Sequence, residues 1–275
     1  MPSEPVPPRP AATVLLVRDH PEPAPGRAPL QVFLQRRVAG MAFAGGMTVF
    51  PGGGVDPADV PEPDRWRGPD PSWWGARLGC STSLAGALVQ AAVRETFEEC
   101  GVLLATGPPG AGAVDPAWLR AARTDLIARR RTLGHLLAEA DLTVRADLLR
   151  GWARWITPEV EPRRYDTAFF VAVLPSGQDA DAHTTEAVEA TWWYPVEALE
   201  QRERGEIGLM APTIRTLREI AEHPDSASVL AAAEHREIRP ITPRVVHRDG
   251  VRRVLLPEDP GFDVAADHLT REGRA

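Results

Sequence analysis

The sequence predicts an α+β sandwich built on a mixed β-sheet. β-like runs and helical stretches alternate along the chain without the regular βαβ rhythm that marks a parallel sheet, and no internal repeat is present. The 275 residues are 43% hydrophobic and 25% charged, enough chain and apolar content to bury a real core.

Taken in order, residues 1–10 are proline-rich, lack a basic start and an apolar stretch, and are expected to be a disordered leader. Residues 11–17 form a short β-like run. A Pro-rich loop over 20–29 and a second run over 30–35 complete a hairpin with a long connection. Residues 39–56 are rich in glycine and small side chains, and the turn Pro51-Gly52-Gly53-Gly54 admits backbone shapes that side chains forbid. Residues 60–80 turn to prolines, Trp66, Trp73, Trp74 and mixed charges, the composition of an irregular insertion anchored by its aromatic rings. Ser81, Thr82 and Ser83 are each suited to cap a helix over 84–100, which Gly101 ends in a left-handed turn. Asp115-Pro116 starts a further helix with a polar, Arg-rich body to about residue 131, whose arginines either face solvent or contact a partner or an acidic substrate. A Leu-rich stretch over 136–152 reads as another helix.

Residues 167–174 are a continuous apolar run suited to a buried strand, and 191–194 are a second candidate. Helices are expected over 196–203 and 213–222, and a hairpin about Asp249-Gly250 within 238–256. The domain organisation expected is a leader over 1–10, one domain over 11–225 with an insertion over 60–83, and a C-terminal extension over 226–275. That extension either packs on the core or makes a homodimer contact.

Charge and cysteine usage exclude several function classes. A net charge of −7 disfavours nucleic-acid binding through the overall field, though a phosphorylated small molecule needs only a few local cations or a metal. The longest apolar runs, over 14–17 and 169–174, are far too short to span a bilayer. Cys80 and Cys100 have no metal-like spacing, which argues against structural zinc and for a reduced, cytoplasmic setting. Neither has a neighbouring base in sequence, so nucleophilic cysteine chemistry is not supported.

The chemistry concentrates at the end of the helix over 84–100. At about 100° per residue, Glu95, Glu98 and Glu99 fall within roughly 100° of one face, while Val89, Val93, Phe97 and Cys100 lie opposite. Like charges at this spacing each cost about 0.2–0.5 kcal/mol. Carboxylates at the negative end of the helix dipole add about 0.3–1 kcal/mol each. Arg94 can pair with Glu98 at i,i+4, which still leaves two charges. The alternative is a solvated acidic helix end, but an apolar helix body and a glycine loop nearby fit a hard-cation site. Oxygen ligands of this kind suit Mg²⁺ or Mn²⁺, which keep several waters and bridge to phosphate oxygens.

The run Arg94-Glu95-Thr96-Phe97-Glu98-Glu99-Cys100-Gly101-Val102 resembles the second half of the Nudix box, and Phe50-Pro51-Gly52-Gly53 resembles its first half. Asp59 stands where the family has its first glutamate, a departure that puts its metal role in question. A second departure is length: 34 residues separate Asp59 from Arg94, so the box is interrupted. That interruption resembles the Nudix branch of peroxisomal coenzyme A diphosphatases. So do residues 33–37, 41–46, 164–167 and 192–199, and the likeness spans about 11–222.

The resemblance implies a Nudix-like α/β/α sandwich and metal-dependent hydrolysis of a diphosphate linkage in a coenzyme A-like or nucleoside diphosphate-linked small molecule. Other Nudix substrates (ADP-ribose, sugar nucleotides, nucleoside triphosphates) or a catalytically weak nucleotide-sensing domain are the alternatives. It further implies Glu95, Glu98 and Glu99 as metal ligands, with the Gly52 carbonyl and Asp59 as further candidates and Arg94 as the residue that orients the cluster. The general base is either Glu95 or Glu186, from the polar loop 176–189. Arg36, Arg37, Arg163 and Arg164 are candidates for holding substrate phosphates. His183, near Glu186, is expected to be idle.

Overall fold

The computed structural model describes residues 5–23, 25–40, 44–111, 113–181, 187–248, 251–260 and 262. Strands β1 (Arg9–Asp19) and β2 (Leu30–Arg37) are buried along most of their length, and the short β3 (Met47–Val49) and β4 (Gly52–Gly54) follow. Thus β1 begins inside the stretch expected to be leader. Its Arg9 amide donates to Arg164 O.

The insertion is more ordered than its composition suggests, because it holds β5 (Trp66–Arg67) and a helix, α1 (Pro71–Leu78). Asp70 accepts from the Trp73 amide, Pro71 sits in the first turn and Gly79 closes the helix at φ 66°, so both ends are encoded locally. Trp74 and Leu78 are fully buried, and Gly86 lets Pro61 and Pro71 lie against the next helix. Trp73 is 46% exposed, so Trp74 is the anchoring ring of the pair. That next helix is α2 (Thr82–Cys100), capped by Ser81, which accepts from Leu84 N, and ended by Gly101 at φ 74°.

After β6 (Ala105–Thr106) come α3 (Pro116–Ile127), capped by Asp115, and α4 (Leu133–Glu139), which are followed by β7 (Thr143–Arg145), β8 (Arg150–Ile156), β9 (Tyr165–Val173) and β10 (Ala187–Trp193). The helix expected over 136–152 is instead the end of α4 followed by β7 and the start of β8. Asp141 adopts φ 50° and breaks the helix, and the apolar residues beyond it enter strands, with Trp152 buried on β8. A short Leu-rich run suits a helix or a buried strand equally, and periodicity alone does not choose. The chain closes with α5 (Pro195–Glu203), β11 (Gly208–Leu209), α6 (Ala211–Ala221), α7 (Ser226–His235), β12 (Pro240–Ile241) and a hairpin of β13 (Arg244–Arg248) and β14 (Val251–Leu255).

The main sheet runs β11-β3-β2-β1-β9-β8-β12, with β10 added to β2 and β4 to β1. It is mixed: β1 runs parallel to β9, whereas β2 and β8 are antiparallel to their neighbours β1 and β9. Alternation along β1 divides the core. Ala12, Val14 and Leu16 pack with α2, and Leu15 and Val17 pack on the other face with Leu217 and Ile220 of α6 and Val229 and Ala233 of α7. This is an α/β/α sandwich. The stretch 226–275 opens with α7, packed on that second face, and β12 pairs with β8. Among the described residues no helix is long and apolar enough to cross a membrane.

One feature of the sheet positions the site. β1 and β2 pair only where Val17–Asp19 meets Leu30–Val32. Beyond that they part, β4 taking Ala11–Thr13 of β1 and β3 taking Gln35 and Arg36 of β2. The glycine loop thus crosses the split between the two long strands, and Val14 N donates to Pro51 O there.

Candidate active site

The last two turns of α2 bring their carboxylates against the glycine loop in the split. Contact is this close only because the loop has no side chains: a Cβ on Gly53 would lie 2.3 Å from Glu95 Oε1, and one on Gly52 would lie 2.4 Å from Ala12 O. Glu95 is 9% exposed and Glu99 5%. The Glu99 Oε2 atom accepts from the Gly52 amide at 2.6 Å and from Gln35 Nε2 at 2.5 Å.

Arg94 organises the rest, with all five of its N–H groups engaged. Its Nε donates to Asp59 Oδ1 (2.8 Å), one terminal nitrogen to Asp59 Oδ2 (2.9 Å) and Gly54 O (2.8 Å), and the other to Glu95 Oε1 (2.7 Å) and Glu98 Oε1 (3.2 Å). The i,i+4 pair with Glu98 is thus one part of a larger fork. The two halves of the interrupted box are stapled together by a bidentate Arg94–Asp59 pair. Asp59 is 3% exposed and also accepts from Asp56 N, so both its oxygens are committed to protein donors. Its geometry is that of a residue holding Arg94.

The electrostatics follow from burying so many acids around one cation. Burial pushes Glu95 up to about 7, with Glu98 adding to the rise and Arg94 opposing it. Burial pushes Glu99 up to about 8, helped by the Glu95 charge and opposed by the Gly52 amide, Arg37 and Gln35. Glu98 is raised too, by burial against the pull of Arg94. For Arg94 burial works against the charge, but the Asp59 hydrogen bond and the charges of Glu95, Asp59 and Glu98 outweigh it and hold the guanidinium protonated.

Among the described residues no three His, Cys, Asp or Glu side chains converge on one point as a metal cage. Arg94 stands among Asp59, Glu95 and Glu98, which accounts for this. A hexacoordinate hard cation asks for less, one or two carboxylates with waters and main-chain oxygens. Glu95 and Glu99 beside the Gly52–Gly53 backbone meet that requirement.

The four candidate phosphate-binding arginines separate. On β2, Phe33 faces α2 and Leu34 the opposite core, so Gln35 and Arg37 lie on the α2 side and Arg36 on the other. Arg37 is close enough to act on the Glu99 charge. Arg36 pairs with Glu189 at 3.5 Å. Arg164 is buried and donates to Thr157 O and Val6 O, tying the start of the chain to the sheet, while Arg163 is exposed before β9. Glu186 and His183 lie outside the described residues. Cys100 is buried, and burial raises its thiol well above the ordinary range; burial also raises Cys80.

Two participants were not singled out by sequence. Gln35 sits in an apolar run interrupted only by two amides, Gln31 and Gln35, and nothing in the sequence separates one from the other. Arg123 belongs to the stretch expected to face solvent, yet it is 7% exposed, donates to Glu98 O at the end of α2 and pairs with Asp181. A cation at a helix C-terminus offsets part of the dipole cost that the acids there incur.

Residues 82–220 match the family model described as the NUDT19 Nudix domain. The human acyl-coenzyme A diphosphatase NUDT19 is 35% identical over 145 residues, 47% of this chain and 38% of that protein. Putative nudix hydrolase 7 of Caenorhabditis elegans is 28% identical over 195 residues, 71% of this chain and 57% of that protein. The alignments span less than two thirds of the length of these curated relatives. Among solved structures, a NUDIX hydrolase from Alicyclobacillus acidocaldarius superposes with a TM-score of 0.65 at 27% identity, covering 82% of this chain and 96% of that one. The matched range 82–220 starts with α2 and so contains Arg94, Glu95, Glu98 and Glu99 but neither the glycine loop nor Asp59.

Proposed function

Since the chain belongs to the Nudix family and carries the NUDT19 Nudix domain across residues 82–220, we propose that it is a divalent-metal-dependent hydrolase of a diphosphate linkage in a coenzyme A-like small molecule. The observation that carries this reading is the buried pair Glu95 and Glu99 packed on the backbone of Gly52 and Gly53. Two acids held this way are costly unless a cation shares the site. The substrate class is supported by the acyl-coenzyme A diphosphatase relative.

Glu95 and Glu99 are the residues that would hold Mg²⁺ or Mn²⁺, with Glu98 and the Gly52 carbonyl as further oxygen donors. Such a cation, when bound, neutralises phosphate charge and lowers the pKa of a water. Everything else is done by the chain. Glu95 is the residue placed to accept a proton from the attacking water, and Glu186 is the alternative base. Arg94 keeps Glu95 and Glu98 in register with the loop, and Asp59 keeps Arg94 in place. Arg37, on the α2 side of β2, meets the substrate's phosphate oxygens.

The test is incubation of the purified chain with Mg²⁺ or Mn²⁺ and a panel of coenzyme A, acyl-coenzyme A, ADP-ribose, NADH and deoxynucleoside triphosphates, with products identified by mass spectrometry. Release of 3′,5′-ADP with 4′-phosphopantetheine or its acyl form, abolished by a chelator, is the expected result. Cleavage of a different member would overturn the substrate class. No turnover of any member, or turnover unaffected by chelator, would overturn the reaction proposed.

A further inference from the structure

Strand β2 buries two amide side chains on its α2 side, and they are treated differently. Gln31 is 6% exposed and its Oε1 accepts from Arg18 Nε at 3.0 Å. Gln35 is 2% exposed, its Nε2 donates to Glu99 Oε2 at 2.5 Å, and its buried Oε1 has no hydrogen-bond partner among the described residues. A buried amide oxygen without a donor is uncommon and asks for an explanation. Both amide atoms sit on one carbon, so this acceptor lies beside the same carboxylate that the nitrogen holds. Two donors, Gln35 and the Gly52 amide, converge on Glu99 Oε2.

We propose that Gln35 is a positioning residue of the cation site: its Nε2–H and the Gly52 amide fix Glu99 by one oxygen, so that the other would be left to hold the cation, and its Oε1 would accept a hydrogen bond from a water bound there. The inference rests on the divalent-cation reading above. Gln35 lies on β2, outside both halves of the box that carries the acids, so the strand contributes to the site through the split in the sheet. The arrangement needs an amide at this position. A carboxylate would repel Glu99, and an apolar side chain would leave Oε2 with one donor and the water with none. Residues that orient a ligand in this way change metal affinity by about 10–100-fold when removed.

The test uses the full chain and Mn²⁺ as the probe, titrated by electron paramagnetic resonance, in Gln35→Leu and Gln35→Met. The methionine variant keeps the length and bulk under α2, and circular dichroism with metal-free melting reports whether each variant folds. The expected result is a Mn²⁺ Kd raised about 10–100-fold in both variants. The Mn²⁺ concentration for half-maximal turnover should rise in parallel, with turnover at saturating Mn²⁺ largely recovered. A Kd unchanged within about twofold in a folded variant overturns the role of Gln35, provided wild type binds Mn²⁺ and Glu99→Gln loses it. Wild type that binds no Mn²⁺ overturns the cation reading itself, and Gln35 with it.

Discussion

Replacing Glu99 with Gln removes a charge from the centre of the site and leaves its shape. Glu99 is 5% exposed, and burial, then Glu95, lifts its proton affinity from an ordinary 4.5 to about 8. The folded chain therefore holds this proton more tightly than the unfolded chain does. Stability bears no penalty below pH 4.5, falls as pH rises, and bears the full penalty above about pH 8. At about 1.4 kcal/mol per unit the full cost is several kcal/mol. Part of it is shared with Glu95, whose charge Glu99 feels. In chelator, Glu99→Gln should accordingly be about 1–3 kcal/mol more stable than wild type at pH 8.5 and within about 0.5 kcal/mol of it at pH 5. Turnover with saturating Mg²⁺ should meanwhile fall by about 10² or more. Urea denaturation followed by circular dichroism at the two pH values measures the first, and product release the second. A variant less stable than wild type at pH 8.5 would refute the reasoning, because the hydrogen bonds to ionised Glu99 would then outweigh its burial. An equal gain at both pH values would show that charge is not the cause.

Gly53→Ala places a Cβ 2.3 Å from Glu95 Oε1 and 2.6 Å from its Cδ. It should cost about 1–3 kcal/mol and most of the activity, and full turnover in the variant would show that the close approach is dispensable. Arg94→Lys cannot reproduce a fork with five donors. It should destabilise the chain by about 3–5 kcal/mol and leave too little activity to measure, read by thermal melting and by turnover below the melting point. Trp74→Ala, midway along α1, should cost about 3–5 kcal/mol of stability while leaving kcat/KM of the folded fraction near wild type; a selective loss of kcat/KM would mean that the insertion acts on the site.

Much of the fold was legible locally. The α2 boundaries follow from Ser81 and Gly101, the start of α3 from Asp115-Pro116, and the buried strand β9 from an unbroken apolar run. Two stretches differ from their local pattern. The run 136–152 carries an apolar pattern that serves a short helix and then two strands, β7 and β8, divided from it at Asp141. Residues 60–80 looked irregular because prolines and tryptophans dominate them, yet Asp70-Pro71 and Gly79 mark out α1.

Local sequence accounts for two features of the site: Glu95, Glu98 and Glu99 share one helix face because their spacing is helical, and Gly52–Gly54 admit backbone shapes that side chains forbid because they lack Cβ atoms. What each group faces is set by the packing of elements far apart in the chain. Asp59 is separated from Arg94 by 34 residues, so nothing local could show that the guanidinium would take both its oxygens. Of four arginines that look alike in sequence, strand alternation turned Arg37 toward the acids and Arg36 away, and Arg164 was consumed as a clamp on the start of the chain. Gln35 reached Glu99 across 64 positions because β1 and β2 part where the glycine loop crosses. Spacing along one helix is a local property of the backbone, whereas pairing between distant elements depends on how the sheet splits, and that is settled only when the whole core packs.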